Sequence, residues 1–156
     1  PVEKVADIYR KLVDINVLGA LLTTQVIAPK LHSGSRLIYT ASTYSKSPEG
    51  GFAAYSATKY ATLGLMRSVA KELGPKGINV NAVCPGPILN EITEANAAKA
   101  GLSPDEHMSY VTHKQVLNRG VIKMDDLVGA YLFLASGAAS EITGQALNVD
   151  KGEAMM

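Results

Sequence analysis

Two runs of strand-forming residues, Arg-Leu-Ile-Tyr-Thr-Ala-Ser at 36–42 and Ile-Asn-Val-Asn-Ala-Val at 78–83, are joined by a long stretch of helix formers at 54–74. A hairpin needs only a few residues between its strands, whereas a parallel neighbour needs a crossover of a dozen or more, usually a helix. Strand, helix and strand at this spacing restrict the chain to α/β architectures with right-handed crossovers and buried strands.

The flanking segments extend the same pattern. Residues 2–31 read as one helix, because Val5, Ile8, Tyr9, Leu12, Val13, Asn16, Val17 and Ala20 recur at three- and four-residue steps. Ser33-Gly34-Ser35 ends it, Gly74-Pro75 stops the second helix, and Pro85-Gly86-Pro87 breaks the second strand. Within the irregular stretch 88–123, Ser103-Pro104-Asp105-Glu106 carries a capping serine, a first-turn proline and acids near the positive end of the helix dipole. A flexible helical lid is expected there, then an amphipathic helix at 125–136 and a last strand at 145–149. The expected fold is a Rossmann-like parallel three-layer α/β sandwich truncated to its distal half, about three strands with flanking helices, and residues 1–156 form a single domain.

With 47% apolar and 19% charged residues and a net charge of +1, the chain has no electrostatic footprint for nucleic acid or an anionic membrane. Cys84 is a single cysteine and no 18 apolar residues run uninterrupted, so a cytoplasmic protein without membrane spans is expected. The start at Pro1, without a leader, suggests a fragment.

The most informative pair is Tyr55 and Lys59, which four-residue spacing puts on one helix face. A nearby cation lowers an acid's pKa by roughly 1–3 units, which would bring a phenol closer to proton transfer near neutral pH. Tyr110 and Lys114 share the spacing without an upstream partner, and Tyr110 reads as surface or lid packing. Ser42 ends a buried strand thirteen residues before Tyr55. Open parallel sheets bind ligands outside the carboxyl ends of their strands, where a hydroxyl can hold a carbonyl or alcohol oxygen. Ser45 and Ser47 read as turn serines. Asn16 interrupts an apolar stripe and, if buried, needs hydrogen-bonded partners.

Asp-Ile-Asn-Val-Leu-Gly-Ala around Asn16, Thr-Ala-Ser at Ser42, Ala-Tyr-Ser-Ala-Thr-Lys with Tyr55 and Lys59, the Pro85-Gly86-Pro87-Ile88 loop and Thr-Gly-Gln-Ala-Leu-Asn-Val-Asp near the end occur in this order. Together they resemble the catalytic half of the short-chain dehydrogenase/reductase family. The resemblance implies reversible hydride transfer between a nicotinamide, NAD or NADP, and a small-molecule secondary alcohol or ketone. It implies Tyr55 as acid and base, Lys59 lowering its pKa and holding the nicotinamide ribose, Ser42 on the substrate oxygen, and Asn16 anchoring a relay water. Pro85, Gly86, Ile88 and Asn90 would border the nicotinamide. A homo-oligomer, dimer or tetramer, is implied through the two long helices and last strand.

The chain departs from the family in several places. No two of its fourteen glycines are separated by a single residue, so the dinucleotide phosphate loop is missing, and cofactor preference is unreadable. Asn90 stands where the family usually has Thr, and Lys151, in place of a usual Gly, could alter a subunit contact. His32, His107, His113 and Cys84 form no metal-ligand pattern, and no Gly-x-Ser-x-Gly supports a serine hydrolase. Epimerase and dehydratase branches fit the loop and ending less well. The competing class is a catalytically silent structural or interaction module, which the missing phosphate loop favours.

Overall fold

The computed structural model describes residues 5–99 and 101–155. Strands β1 (Arg36–Thr40), β2 (Asn79–Pro85) and β3 (Ala146–Val149) form one parallel sheet in the order β1-β2-β3. Arg36 pairs with Asn79 and Ala82 with Ala146, and the Ala41 N–H donates to the Val83 carbonyl just past the end of β1. Helices α1 (Val5–Val13) and α2 (Gly19–Ile27) precede the sheet, and α3 (Ala53–Leu73) joins β1 to β2. Helices α4 (Glu91–Lys99), α5 (Pro104–Thr112) and α6 (Val128–Ala135) join β2 to β3. The expected three parallel strands with flanking helices are therefore present.

Alternation along β2 sends successive side chains to opposite faces. Val80, Ala82 and Cys84 pack with Leu63, Met66, Val69 and Ala70 of α3, while Val83 packs with Leu134 of α6. The buried polar residue of this strand, Asn81, is satisfied by donating to the Ile142 carbonyl at 2.8 Å and accepting from the Gln145 N–H at 3.0 Å.

Two expectations are corrected. The helix expected at 2–31, whose start at residue 2 lies outside the described residues, is interrupted by a π-helical turn at Asp14–Leu18 and ends in a 3-10 turn at Ala28–Lys30. Hydrophobic periodicity is blind to one inserted residue in a helical turn, which is what a π segment is. The segment at 125–136 is a 3-10 turn followed by α6, and α6 is apolar all round rather than amphipathic: Leu134 is buried while Val128, Leu132 and Phe133 are exposed. Lys151 adopts a left-handed φ of 56° and donates to the Arg119 and Gly120 carbonyls. In contrast, the Ser103 cap forms as expected, with Glu106 reaching back to the Ser103 N–H at 2.8 Å.

Ile8–Lys30, with a mean hydropathy of 1.5, is the one helix among the described residues long and apolar enough to cross a membrane. Its inner side packs on α3, and Ile15, Leu18, Leu21, Leu22 and Val26 are exposed.

Met66 has no exposed surface and sits where α3 meets the sheet. Met66→Ala is expected to lower unfolding free energy by about 2–5 kcal/mol, read as a shift of the urea midpoint with little change in slope.

Candidate active site

The carboxyl ends of β1 and β2 and the first turns of α3 enclose a cavity of about 370 Å³. Ser42, Tyr55 and Lys59 line one wall, and Pro85, Gly86, Pro87, Ile88 and Asn90 line another. Those positions are where an open parallel sheet presents its ligand crevice.

Ser42 is fixed by its neighbours. It caps a 3-10 turn at Thr43–Ser45, its hydroxyl accepting from the Tyr44 N–H at 3.1 Å. Ser45 closes the turn from the other side, donating to the Ser42 carbonyl at 2.5 Å and accepting from the Ser42 N–H at 3.0 Å. Ser45 is thus a buried support of Ser42 and more than a turn serine. Lys46 ties the turn to β3: its Nζ donates to the Ala146 carbonyl at 2.7 Å and to Asn148 Oδ1 at 2.5 Å.

Tyr55 and Lys59 share the α3 face that looks into the cavity, with the Lys59 Nζ 5.6 Å from the Tyr55 ring centroid. The electrostatics reverse the expectation for the phenol. Burial raises the Tyr55 pKa above its ordinary 10.0, and the Ser42 side chain pulls it part of the way back. Burial also lowers the Lys59 pKa. Desolvation disfavours the charged form of each group, and it outweighs the opposing pulls of Ser42 on the phenol and Cys84 on the ammonium. Lys59 donates to the Thr40 carbonyl at 3.2 Å, which leaves two of its three N–H donors for a ligand.

Asn16 lies inside the π-helical turn, where its Nδ2 donates to Thr58 Oγ1 at 3.0 Å. Thr58 in turn donates to the Tyr55 carbonyl at 2.8 Å. Asn16 therefore touches the α3 turn between Tyr55 and Lys59, and it reaches them through Thr58. π-helical turns recur at functional sites because the inserted residue redirects one side chain.

The loop after β2 is held on both sides. The Gly86 N–H donates to the Val149 carbonyl at 3.0 Å, and Ile88 bridges Ile122. A Cβ at Gly86 would stand 2.9 Å from Asp150 Cβ, so this close approach requires glycine. Asn90 caps α4, its Oδ1 accepting from the Thr93 N–H at 3.0 Å while Thr93 Oγ1 accepts from the Asn90 N–H at 2.9 Å. An amide does this as well as a hydroxyl, which accounts for Asn at this position.

Sequence reasoning missed most of the opposite end. Tyr44, Glu49, Phe52, His107, Tyr110, His113 and Lys114 line it. Tyr44 lies 5.1 Å from Phe52 and 6.1 Å from Tyr55 between ring centroids, and burial, then Glu153, pushes its pKa up to about 12. The second Tyr-x-x-x-Lys pair, read as lid packing, turns out to face the same cavity. Its spacing was visible, but what it faced depends on contacts 65 residues apart, as between Glu49 and Lys114. No group of three or more metal-ligating side chains occurs among the described residues.

The family described as enoyl-(acyl carrier protein) reductase matches residues 2–153. The chain is 37% identical over 142 residues to a short-chain dehydrogenase/reductase of Arabidopsis thaliana, covering 91% of this chain and 53% of that protein. It is 38% identical over 149 residues to L-rhamnose 1-dehydrogenase (NAD(P)(+)) of Azotobacter vinelandii, covering 94% and 56%. The solved sorbitol-6-phosphate 2-dehydrogenase of Erwinia amylovora superposes with a TM-score of 0.84 at 28% identity, over 100% of this chain and 64% of that one. The chain thus spans about half the length of the curated relatives it matches.

Gly86→Ala should push the loop away from Asp150 and reshape the wall facing Tyr55. The expected outcome is a loss of stability by about 1 kcal/mol or more, checked by thermal unfolding.

Proposed function

The chain belongs to the short-chain dehydrogenase/reductase family, and we propose that it is the catalytic half of a nicotinamide-dependent oxidoreductase interconverting a secondary alcohol and its ketone. The observation that carries this reading is the meeting of Ser42, Tyr55 and Lys59 on one wall of a cavity opposite the Pro85 to Asn90 strip. When bound, the nicotinamide supplies or accepts the hydride.

The residues of this chain move the proton and set the geometry. In reduction the Tyr55 hydroxyl donates its proton to the carbonyl oxygen, and in oxidation its oxygen takes the proton from the alcohol. Ser42, fixed by Ser45, holds that oxygen beside the phenol. Lys59 offers its two remaining N–H donors to vicinal ribose hydroxyls, which is the chemistry such a donor fits. Asn16 braces this turn of α3 through Thr58, and its amide oxygen is the acceptor for a relay water leading to Lys59. Pro85, Gly86 and Ile88 orient the carboxamide, and Asn90 sets the direction of α4 beside it.

The cofactor is NAD or NADP, and the L-rhamnose relative is named for both. No two glycines here flank a single residue, so these residues supply no phosphate loop of that kind for the cofactor's pyrophosphate. The exposed apolar residues of α2 and α6 support a homodimer or tetramer, and those of α2 would give Ile8–Lys30 its hydropathy. A cytoplasmic location and the absence of a nucleic-acid partner complete the reading.

Titrating NADH and NADPH fluorescence with this chain, alone and joined to any in-frame segment that its gene places upstream, tests the assignment. Saturable binding in the joined form alone is expected; binding in neither would favour a silent module. Tyr55→Phe in the joined form should lower turnover by about two to four decades, and unchanged turnover would remove Tyr55 from the mechanism. Because burial raises the Tyr55 pKa, the oxidation rate should climb with pH past 10.0, while reduction holds through neutrality and falls only above that value.

A further inference from the structure

The end of the cavity away from Lys59 has an aromatic wall of Tyr44, Phe52 and Tyr110 and a polar rim of Glu49, His107, His113 and Lys114. Glu49 is the one carboxylate among the described residues lining the cavity, and it is paired with Lys114 across the rim. The pair joins the loop before α3 to the chain just after α5. Its side chains are 27% and 44% exposed, so the bond is screened by solvent and contributes little to stability.

The segment carrying Glu49 is lightly held, the Glu49 carbonyl accepting from the Phe52 N–H at 3.3 Å. Pro48 precedes it and Gly50 and Gly51 follow, Gly51 having a φ of 84°, and a Cβ at either glycine would meet nothing within 4 Å. Lys114 is held differently, because the adjoining Val116 and Leu117 N–H groups both donate to the Lys151 carbonyl. One partner is therefore mounted on a fixed backbone and the other on a glycine-flanked loop. The remaining acid nearby, Glu153, is not part of the lining. Burial, and then Asp150, raise its pKa, and Lys114 and His113 pull it part of the way back.

We propose that this end of the cavity is a carboxylate subsite, in which Lys114, with His107 and His113 beside it, takes the carboxylate of an oxo or hydroxy acid in place of Glu49. The Glu49 carboxylate already shows the chemistry that fits there, and the exchange swaps one charge-assisted bond for another. The substrate class that follows is an acid whose carbonyl or alcohol carbon reaches Ser42 and Tyr55 while its apolar body lies on Tyr44 and Phe52. The assignment of class rests on the oxidoreductase reading above; the binding of a carboxylate does not.

The test compares straight-chain oxo acids of increasing length with their methyl esters, using the full-length protein. The acids should show a kcat/KM about five- to tenfold above their esters, carried by KM. Lys114→Met should bring that ratio to about one, and Glu49→Gln should lower KM for the acids by removing the internal competitor. Calorimetric titration of the Tyr55→Phe variant with the same pairs reads binding without turnover. Selective binding of acids that is lost on adding Lys114→Met supports the subsite even where no variant turns over, an outcome that would sink the oxidoreductase reading alone. Equal binding of acid and ester, binding of neither, or selectivity that survives Lys114→Met would overturn the subsite whether or not Tyr55 proves catalytic.

Discussion

The parallel pairing of β1 with β2 is the constraint on which the rest of this structure depends. It brings Ser42 and the Pro85 to Asn90 strip out at the same end of the sheet, although they are more than forty residues apart. The crossover that parallel pairing requires is α3, and the same helix supplies Tyr55 and Lys59 from its first turns. One face of α3 packs Leu63, Met66 and Val69 into the core, so the site wall and the core are two parts of one rigid element. Precision in the cavity follows from burial below it.

The π-helical turn at Asp14–Leu18 adds a second level of control. Asn16 is half-buried with Val13, Val17 and Ala20 on the side that meets α3, and from inside this turn its amide reaches Thr58. That contact reaches the Tyr55 carbonyl, so a helix distant in sequence from the reacting groups stiffens the turn between them. Such a turn is tolerated where its irregularity does something useful.

Much of this was legible in the residues. Strand formers spaced by helix formers gave the parallel sheet, and Ser42, Tyr55 and Lys59 stand together as their spacing required. The resemblance of several ordered motifs supplied the roles now proposed for them. What was not legible has physical causes. Periodicity cannot register the inserted residue at Asn16, and desolvation, which reverses the expected shift on Tyr55, depends on packing that spacing does not encode. Ser45 looked like a turn residue because its partner is the backbone of Ser42. Glu49 and Lys114 meet only after two crossovers have folded, so no local pattern points to them.

Lys46 links the turn that holds Ser42 to β3 through acceptors 100 and 102 positions further along the chain. Contacts so far apart in sequence carry a large loop-closure cost and tend to form late in folding, whereas the Tyr55 and Lys59 pair is assembled by a single helical turn. Ser42 is fixed locally by Tyr44 and Ser45, and only the tie from Lys46 needs the last strand, so a chain interrupted before residue 146 would keep the capped serine turn and lose its anchor to the sheet.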